Sequence, residues 1–501
     1  MTDHSTIAAV DLGSNSFRLQ LARVSGGQIY PLDSLKDSVR MAAGLSDDKR
    51  LDEESQQRAL ACLSRFGERL RGLPADAVRA IGTNTLRVAK NAPEFLKKAQ
   101  RLLGFPIEIV AGHEEARLIY LGVAHALPGM KGPTLVVDIG GGSTEIVVGT
   151  GFDPARLESL YMGCVGHSKA HFGDGKLSAK RFAEAELAAA TELQTIAGSI
   201  AKERWQQAVG SSGTARALAE MLLQNGWADS GITASGLSKL RKAIIKAGEV
   251  RKLDLPGLSA DRKPVIAGGL AIMAAVFDAL GIEHMSVTDS GMREGILWEM
   301  LGRMQHHDVR DATVAEFMRR YHVDAAQAVR VERLALQLYR QLAGKSEIDP
   351  AVLALLAWSS RLHEIGLSIA YSGYHRHSAY IIENADMPGF SRGEQALMAH
   401  VVLGQRGAMA KAASKLADEL EWLPVLALRL AALFFRGRSD YRVPHIELER
   451  SGNRFALGVD EAWLARNQLL MAALKAESKA WRNTGFALDV VTLGTREAAR
   501  S

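Results

Sequence analysis

Two copies of one strand–turn motif constrain the fold of this chain more than any other feature of its sequence. The first copy, VDLGSNS, occupies residues 10–16, and the second, VDIGGGS, occupies residues 137–143. In each copy an apolar run contains an aspartate near its end and passes into a turn of glycine and small polar residues. Apolar runs bounded by glycine predict buried strands, and strands and helical segments follow each copy. The sequence therefore predicts two α/β units that begin in the same way.

The chemistry of these turns indicates a site for phosphate and a metal ion. Glycine lets the backbone approach a ligand closely and point N–H groups at anionic oxygens, while serine, threonine and asparagine add further donors. Asp11 and Asp138 stand at the ends of the two strands. Their carboxylates are hard oxygen ligands suited to Mg²⁺, which proteins bind through one or two carboxylates and substrate phosphates. Glycine turns that only reverse a strand are common, but two matching turns favour a shared phosphate site.

The pattern of elements changes near residue 304. Strands, glycine turns and helices alternate up to that point, whereas apolar residues recur at helical spacing afterwards, as in residues 329–338. We predict an α/β domain over residues 1–125, a second over 126–304, a helical domain over 305–444 and a small mixed subdomain over 445–501. The predicted fold class is α/β, followed by a mainly helical C-terminal region.

Length and composition exclude several classes of protein. A chain of 501 residues is too long for one hydrophobic core, and a net charge of +5 does not by itself indicate a nucleic-acid partner. Cys62 and Cys164 are too few for a disulfide framework or a zinc cluster. The N-terminus lacks the pattern of a signal peptide, and the apolar stretch 422–435 contains Arg429 and is too short to span a membrane. We therefore expect a cytoplasmic protein, and peripheral association with a membrane stays open.

Several segments bring a family resemblance into view. In chain order, DLGSNSFRL, GTNTLR, AGHEEARLIYLGV, VVDIGGGSTEIVVG and GSSGTARAL resemble the exopolyphosphatase / guanosine pentaphosphate phosphohydrolase family. The later segment LHEIGLSIAYSGYHRHSAYIIENADMPGF resembles the helical domain of that family's long bacterial members. The resemblance implies two actin/sugar-kinase-like (ribonuclease H-like) α/β domains that close on a cleft, followed by a helical region related to HD phosphohydrolases.

The same resemblance implies an activity and its cofactors. It implies hydrolysis of the terminal phosphate of inorganic polyphosphate with Mg²⁺, and some relatives also remove the terminal phosphate of guanosine pentaphosphate. Mn²⁺ is an alternative metal, and a monovalent cation such as K⁺ is a possible further ion. A homodimer is expected, and no nucleic-acid partner is expected.

The resemblance also assigns roles to residues. Substrate phosphate is expected at two loops and one glycine-rich turn, formed by Gly13, Ser14, Asn15, Ser16, Gly140, Gly141, Gly142, Ser143, Ser212, Gly213 and Thr214. The third turn, 212–214, either contacts substrate or only shapes the fold. Arg87 matches a basic residue facing the cleft, with an exposed surface arginine as the alternative. Asp138 matches a metal-linked carboxylate, while Glu145 either holds metal or water or faces solvent from a strand.

The segment GHEEARLIY, residues 112–120, places two adjacent glutamates at the start of a predicted helix. If residues 114–127 form one helix with about 100° per residue, Glu115 lies at the edge of the apolar stripe and Glu114 on the opposite side. Glu114 is therefore predicted to be solvated, with a weak surface pair to Arg117. Glu115 is predicted to reach the cleft, and the resemblance independently assigns it as the general base. The alternative is that both glutamates only favour the helix start.

The helical region departs from the HD pattern. His363 and Glu364 stand where an HD hydrolase carries His-Asp, and no histidine occurs between residues 323 and 362 to serve as an upstream ligand. Because an intact metal site needs its full set of ligands, a non-catalytic domain is favoured. His375, Arg376 and His377 remain candidates to line a path for a polyanion.

These observations lead to a ranked set of functions. Exopolyphosphatase is expected first and guanosine pentaphosphate phosphohydrolase second. An actin- or sugar-kinase-like phosphotransferase is the third, because the α/β halves share that architecture. A nucleotide-regulated binding protein of the actin type is the fourth.

Overall fold

The structure is a computed structural model that describes residues 5–127, 132–200, 205–304, 308–344, 348–407, 422–438, 440, 443–482 and 485–493. The chain divides into two compact units, Met1–Asp308 and Val309–Ser501. Within the described ranges, the helices are all too short or too polar to cross a membrane.

The first unit contains both strand–turn motifs. Its strands are β1 (Thr6–Leu12), β2 (Phe17–Ser25), β3 (Gln28–Asp37), β4 (Val78–Gly82), β5 (Ile107–Ile109), β6 (Thr134–Ile139), β7 (Thr144–Thr150), β8 (Asp153–Leu160), β9 (Gln207–Gly210), β10 (Ile232–Thr233) and β11 (His284–Val287). Its α-helices are α1 (Glu53–Leu70), α2 (Asn84–Val88), α3 (Ala92–Leu103), α4 (Gly112–Ala126), α5 (Cys164–Phe172), α6 (Ala179–Ala197), α7 (Gly213–Gln224), α8 (Ala234–Ala247), α9 (Ile266–Leu280) and α10 (Met292–Met304).

Two sheets organise this unit, and each contains one motif. The first has the order β3-β2-β1-β4-β5, and the second has the order β10-β11-β9-β6-β7-β8. In both sheets a three-stranded antiparallel meander, β1–β3 or β6–β8, pairs through its first strand with a parallel neighbour, β4 or β9. The two motif turns therefore lie at equivalent edges of the two sheets, as the repeated sequence predicts.

Helices α4 and α10 lie between the two sheets. Their apolar residues form one buried cluster with residues of both β1 and β6, including Ala9, Tyr120, Val136 and Ile296. The helices cross closely at two glycines. A side chain on Gly122 would overlap the carbonyl oxygen of Gly291, and one on Gly295 would overlap the carbonyl oxygen of Leu118. Because α4 has a sheet or a helix on most of its sides, little of its surface reaches solvent.

The second unit is mainly helical. Its α-helices are α11 (Val309–Arg320), α12 (Ala325–Ala343), α13 (Pro350–Leu362), α14 (Tyr374–Asn384), α15 (Arg392–Gly404), α16 (Trp422–Phe434), α17 (Glu461–Arg466) and α18 (Gln468–Trp481). A small sheet has the order β12 (Ile446–Ser451), β13 (Arg454–Asp460) and β14 (Ala487–Leu493). Buried residues of the helices and of this sheet belong to one hydrophobic core.

Candidate active site

The two motif turns face each other across a cleft in the first unit. The cleft holds a cavity of about 140 Å³. It brings together predicted residues that lie far apart in the chain, namely Gly13, Ser14, Asn15, Ser16, Glu115, Asp138, Gly140, Gly141, Ser143, Ser212, Gly213 and Thr214. Gly142, Arg87 and Glu145 are the predicted residues that do not line this cavity.

Gly142 packs closely against the side chains of Asn84 and Ser14. A Cβ at this position would lie 2.7 Å from Oδ1 of Asn84 and 3.0 Å from Oγ of Ser14. Ser14 Oγ in turn accepts a hydrogen bond from the backbone N–H of Thr85, at 3.3 Å. Gly142 therefore affects the shape of the cleft through its packing against Ser14, which lines the cavity. Among the described residues, the buried Nδ2 of Asn84 has no hydrogen-bond partner, so a donor is available beside the loops.

Glu115 lies in the first turn of α4 and lines the cavity, as predicted. Its side chain is buried, and its Oε2 accepts a hydrogen bond from Nη1 of Arg87 at 3.2 Å. Burial raises the pKa of Glu115 to about 7, opposed by Arg87 and reinforced by the charges of Asp11 and Asp138. A carboxylate with a pKa near neutrality suits proton transfer at physiological pH.

Arg87 is neither a cavity-lining residue nor an exposed surface arginine. Its guanidinium donates to Glu115 and to the carbonyl oxygen of Val110, at 2.9 Å. Arg87 therefore holds the Glu115 carboxylate in place and opposes its protonation.

Two aspartates, one at the end of each motif strand, line the cavity together. Burial raises the pKa of Asp11 to about 6, opposed by Arg18 and Arg293. Burial likewise raises the pKa of Asp138 to about 7, opposed by the hydrogen bond that Ser211 Oγ donates to its Oδ2 at 2.8 Å. The two strand-end motifs predict both aspartates as oxygen donors, whereas the family resemblance assigns a metal role to Asp138 alone; the place of Asp11 before Gly13 mirrors that of Asp138 before Gly140.

Glu145 is buried on β7, so the alternative that it faces solvent is wrong. Its Oε1 accepts a hydrogen bond from Ser159 Oγ at 2.9 Å. Burial and the negative charges of Glu115 and Asp138 raise its pKa. Glu145 thus lies close enough to the cleft carboxylates to interact with them, without lining the cavity.

Sequence reasoning missed the positive side of the cleft. Arg18, Arg216, Arg262 and Arg293 all line the cavity. Burial, the charge of Arg293 and, more weakly, those of Arg216 and Arg262 lower the pKa of Arg18, so these cations repel one another. Cations gathered against their mutual repulsion favour an anionic ligand. They are scattered over β2, α7, a loop and α10. Only Arg18, two residues after Ser16, and Arg216, two residues after Thr214, lie beside a predicted phosphate loop or turn.

The third turn, residues 212–214, both lines the cavity and supports the fold. Ser212 caps α7 by accepting a hydrogen bond from the N–H of Ala215 at 3.1 Å. Thr214 Oγ1 donates to the carbonyl oxygen of Ile139 at 2.9 Å, which ties α7 to the end of β6. Gly213 leaves space for the guanidinium of Arg262, which a Cβ at this position would overlap.

The prediction that Glu114 is solvated is wrong. Its side chain is buried, and its carboxylate receives two hydrogen bonds from Arg117, at 2.7 and 2.8 Å. Arg117 also contacts Glu299 of α10, which pairs with Arg79 of β4 at 2.5 Å. The prediction took α4 to be buried on one face only, whereas α10 and the two sheets bury most of its surface.

The donor set of the cleft fits a hard divalent cation. Asp11 and Asp138 are oxygen donors whose raised pKa values record the cost of placing negative charges together away from water. Among the residues that the structure describes, no three histidine, cysteine, aspartate or glutamate side chains form a metal cluster by themselves. Mg²⁺ commonly needs only one or two protein carboxylates, with water and substrate phosphates as the other ligands.

The His-Glu pair of the second unit has structural partners. His363 is buried, and its Nδ1 lies 2.6 Å from the carbonyl oxygen of Ser360. Glu364 accepts a hydrogen bond from Arg438 at 2.7 Å. These contacts occupy one nitrogen of His363 and the carboxylate of Glu364.

Comparison with known proteins gives matches along nearly the whole chain. A model of the Ppx/GppA phosphatase family matches residues 21–304, and one of Ppx/GppA phosphatase domain III matches residues 309–478. A guanosine-5'-triphosphate,3'-diphosphate pyrophosphatase of Vibrio cholerae is 38% identical over 486 residues, which cover 96% of this chain and 97% of that protein.

Solved structures share the fold. An exopolyphosphatase from Cytophaga hutchinsonii is 24% identical with a TM-score of 0.53 and covers 60% of this chain and 98% of its own. An exopolyphosphatase-like protein is 23% identical with a TM-score of 0.54 and covers 60% of this chain and 99% of its own. The predicted class, two actin-like α/β domains followed by a helical region, is confirmed.

Proposed function

Because the chain belongs to the Ppx/GppA phosphatase family, we propose that it removes the terminal 5′-phosphate of guanosine pentaphosphate. The products are guanosine tetraphosphate and orthophosphate. One observation carries this choice over exopolyphosphatase, which the sequence had ranked first: the Vibrio cholerae relative, whose name states this substrate, is 38% identical along almost the entire chain. The fold of this chain also resembles that of exopolyphosphatases. Either candidate function would be expected to have this fold, so the resemblance does not distinguish between them.

The geometry supports direct attack by water. Glu115 lines the cleft, and in this proposal it accepts a proton from a water molecule as the water oxygen forms a bond to the terminal phosphorus. The bond from that phosphorus to the bridging oxygen then breaks, and the nucleotide leaves with the electron pair. The N–H groups of loops 13–16 and 140–143 and the cations Arg18 and Arg293 stabilise charge on the transferring oxygens.

Asp138 and Asp11 would hold Mg²⁺, which would supply charge neutralisation on the phosphate oxygens when bound. We expect Asp138→Asn to remove most Mg²⁺-dependent turnover, because a neutral amide is a poorer ligand for a hard cation. Phosphate release is measured against Mg²⁺ concentration. Ser211→Ala, which removes the donor to Asp138, should weaken the apparent metal affinity by about tenfold. An Asp138→Asn enzyme with the wild-type rate and metal dependence would contradict this role.

A panel of substrates tests the proposed function. The full-length protein is incubated with Mg²⁺ and guanosine pentaphosphate, medium-chain polyphosphate, or ATP with sugar and acetate acceptors, and orthophosphate release and acceptor phosphorylation are followed. We expect the highest kcat/KM for guanosine pentaphosphate and no phosphorylated acceptor. A higher kcat/KM for polyphosphate would favour exopolyphosphatase, and acceptor phosphorylation would favour the phosphotransferase.

Exopolyphosphatase is retained as the second candidate because of the cleft cations. Arg18, Arg216, Arg262 and Arg293 suit any chain of linked phosphates. The homodimer and the cytoplasmic location stay predictions.

A further inference from the structure

A separate cavity of about 680 Å³ opens in the first unit, between the helices α6, α8 and α9. None of the described residues that line it also lines the catalytic cleft. Its volume falls in the range of about 300–1,000 Å³ that is typical of pockets for small organic ligands. The proposed reaction makes no use of this space, so the class of its ligand follows from the lining of the cavity itself.

The body of the cavity is apolar. Ala190, Ala234 and Ala274 lie on the three different helices, and their small side chains leave the space between the helices open. Phe277 and Leu187 also line it, and Leu187 is 68% exposed. Because covering apolar surface removes it from water, a ligand with an aliphatic body would be favoured here.

The charged groups around the cavity are mainly acidic. Three of its described lining residues are acidic, namely Glu186, Asp278 and Glu283. Arg241 is the one basic residue among them. It is already engaged, since its Nε lies 2.7 Å from Oε1 of Glu186 and its guanidinium carbon lies 5.7 Å from the ring centre of Phe182. In the part of the chain that the structure describes, Asp278 and Glu283 have no ion-pair partner, so the cavity has an excess of negative charge.

The end of helix α9 adds to this negative field. Asp278 lies in the last turn of α9, which ends at Leu280 and has no basic residue in that turn. The carbonyl groups at a helix C-terminus carry partial negative charge, which favours a cation and disfavours a carboxylate. Burial raises the pKa of Glu186, Arg241 opposes the rise, and the charge of Asp278 reinforces it. Exceptions to a local rule of this kind occur at functional sites, and a bound cation would relieve the repulsion.

Helix α9 also connects this cavity with the catalytic cleft. Its C-terminal part lines the cavity, whereas its first residues pack against α5 and α7. The backbone N–H of Gly268 donates to Ser168 Oγ at 3.1 Å. A Cβ on Gly269 would lie 2.6 Å from Cγ2 of Thr214, which lines the cleft. A ligand that moves α9 would therefore move part of the cleft wall.

We propose that this cavity is a regulatory site for an organic cation with an aliphatic body, of the class of linear alkylamines. The ammonium group, with its three N–H donors, binds to the carboxylates of Asp278 and Glu283 at the end of α9, and the aliphatic chain lies on the apolar lining. Binding changes turnover in the cleft through α9. This site goes beyond the proposed function and does not depend on which phosphate compound is the substrate.

Binding of n-hexylamine to the full-length protein, without substrate, tests the site. At neutral pH the amine is protonated, because aliphatic amines have a pKa of about 10. We expect calorimetry to give a Kd of about 1 mM or lower. Hexanol, which lacks the charge, and methylamine, which lacks the chain, should each bind at least about tenfold more weakly, and hexanoate should not bind. Equal binding of hexylamine and either of these two compounds would overturn the inference.

Two variants of the cavity have matched controls. Asp278→Asn removes one carboxylate at constant side-chain size, and Asp229→Asn changes an exposed aspartate outside the cavity. Ala274→Phe fills the cavity, and Ala183→Phe places the same ring on an exposed position of α6. Hexylamine should bind about threefold more weakly to Asp278→Asn and about tenfold more weakly to Ala274→Phe. Both controls should stay within about twofold of wild type, and unchanged binding in both cavity variants would overturn the site.

Turnover tests the role of α9. Hexylamine should change the kcat/KM of the wild type by about fivefold, and this effect should disappear in Ala274→Phe and persist in Ala183→Phe. An effect of equal size in the two variants would show that the amine acts on the anionic substrate instead of the cavity, and binding without any change in turnover would refute the coupling through α9. A wild-type protein that leaves guanosine pentaphosphate intact would refute the proposed function instead, and the calorimetry would still decide the site.

Discussion

Glu114 and Glu115 are neighbours in the chain, yet their carboxylates have different partners and different tasks. Glu114 joins a buried ion network with Arg117 and, through it, Glu299. Glu115 has one arginine partner, Arg87, and an open side toward the cleft. The first carboxylate fixes the beginning of α4 against the protein, and the second faces the cleft.

We expect Glu115→Gln to lower kcat by about 10²–10⁴-fold, the usual contribution of general acid–base catalysis. The amide keeps the shape of the side chain but cannot accept the proton. Phosphate release from guanosine pentaphosphate is the measurement, with Glu94→Gln, an exposed glutamate on α3, as the control. A loss below about fivefold in Glu115→Gln would exclude a general-base role.

Glu114→Gln should lower the free energy of unfolding by about 3 kcal/mol, because it leaves the buried charge of Arg117 less compensated. Urea unfolding measures this loss. The control is Glu54→Gln, which breaks the exposed i,i+4 pair with Arg58 and should cost less than about 1 kcal/mol. Similar losses in the two variants would show that the Glu114 network contributes no more than a surface pair.

At the level of elements, the crossing of α4 and α10 determines how the cleft is built. Glu115 lies in the first turn of α4, while Arg293 and Glu294 lie in the first turn of α10. The backbone N–H of Gly291 donates to Glu294 Oε2 at 2.9 Å, which fixes the start of α10. Any change in the distance between these helices would therefore shift groups on both sides of the cleft.

The variant Gly295→Ala should lower both stability and turnover. Its Cβ would overlap the carbonyl oxygen of Leu118, and overpacking of this kind costs about 1–3 kcal/mol. Gly166→Ala is the matched control, because Gly166 lies in α5 with no atom within 4 Å of an added Cβ. That control should be neutral or stabilising by up to about 1 kcal/mol. Thermal unfolding and phosphate release are measured for both, and a Gly295→Ala protein as stable and active as the control would contradict the crossing argument.

The elements that the sequence predicted well are those whose signals are local. Apolar runs that end in Asp-x-Gly predicted strands, and β1 and β6 are observed there. A helix predicted over residues 114–127 is observed at Gly112–Ala126. The burial of α4 could not be predicted in this way. Its packing partner α10 lies far along the chain, and no sequence pattern indicates that the two helices pack together. The same reason explains why Arg262 and Arg293 were missed: each lies outside the predicted loops, and only the fold brings it to the cleft.

For the whole molecule, His125 links the stability of the first unit to pH. Its ring stacks on Trp298 of α10, with ring centroids 3.9 Å apart, and on Phe152, at 4.3 Å. Burial lowers the pKa of His125 to about 4, whereas an unfolded chain has a histidine pKa of about 6.5. Below pH 6.5 the unfolded state therefore binds a proton that the folded state does not, and stability falls as the pH drops from about 6.5 toward 4.

His125→Phe should keep the aromatic stack and remove this proton linkage. We expect the thermal midpoint of the variant, relative to wild type, to rise as the pH is lowered from 7 to 4.5, because only the wild type loses stability through His125. Differential scanning calorimetry across this range provides the comparison. A difference between the midpoints that is independent of pH would show that His125 titrates alike in the folded and unfolded chain.

The repeated meander of the two sheets gives the cleft an approximate twofold symmetry, and a phosphate group, which is itself nearly symmetric, could sit between the two loops in either sense. The two helices α4 and α10, which follow the strands of the first and second sheets, make the two orientations different. The helix after the first sheet brings a carboxyl group, Glu115, and the one after the second brings a cation, Arg293. The duplicated framework thus acquires a polarity, because one half supplies a carboxyl group and the other supplies a positive charge. Under the proposed function, the place of the attacking water would be set where the two halves differ, and the capacity to hold phosphate where they are the same.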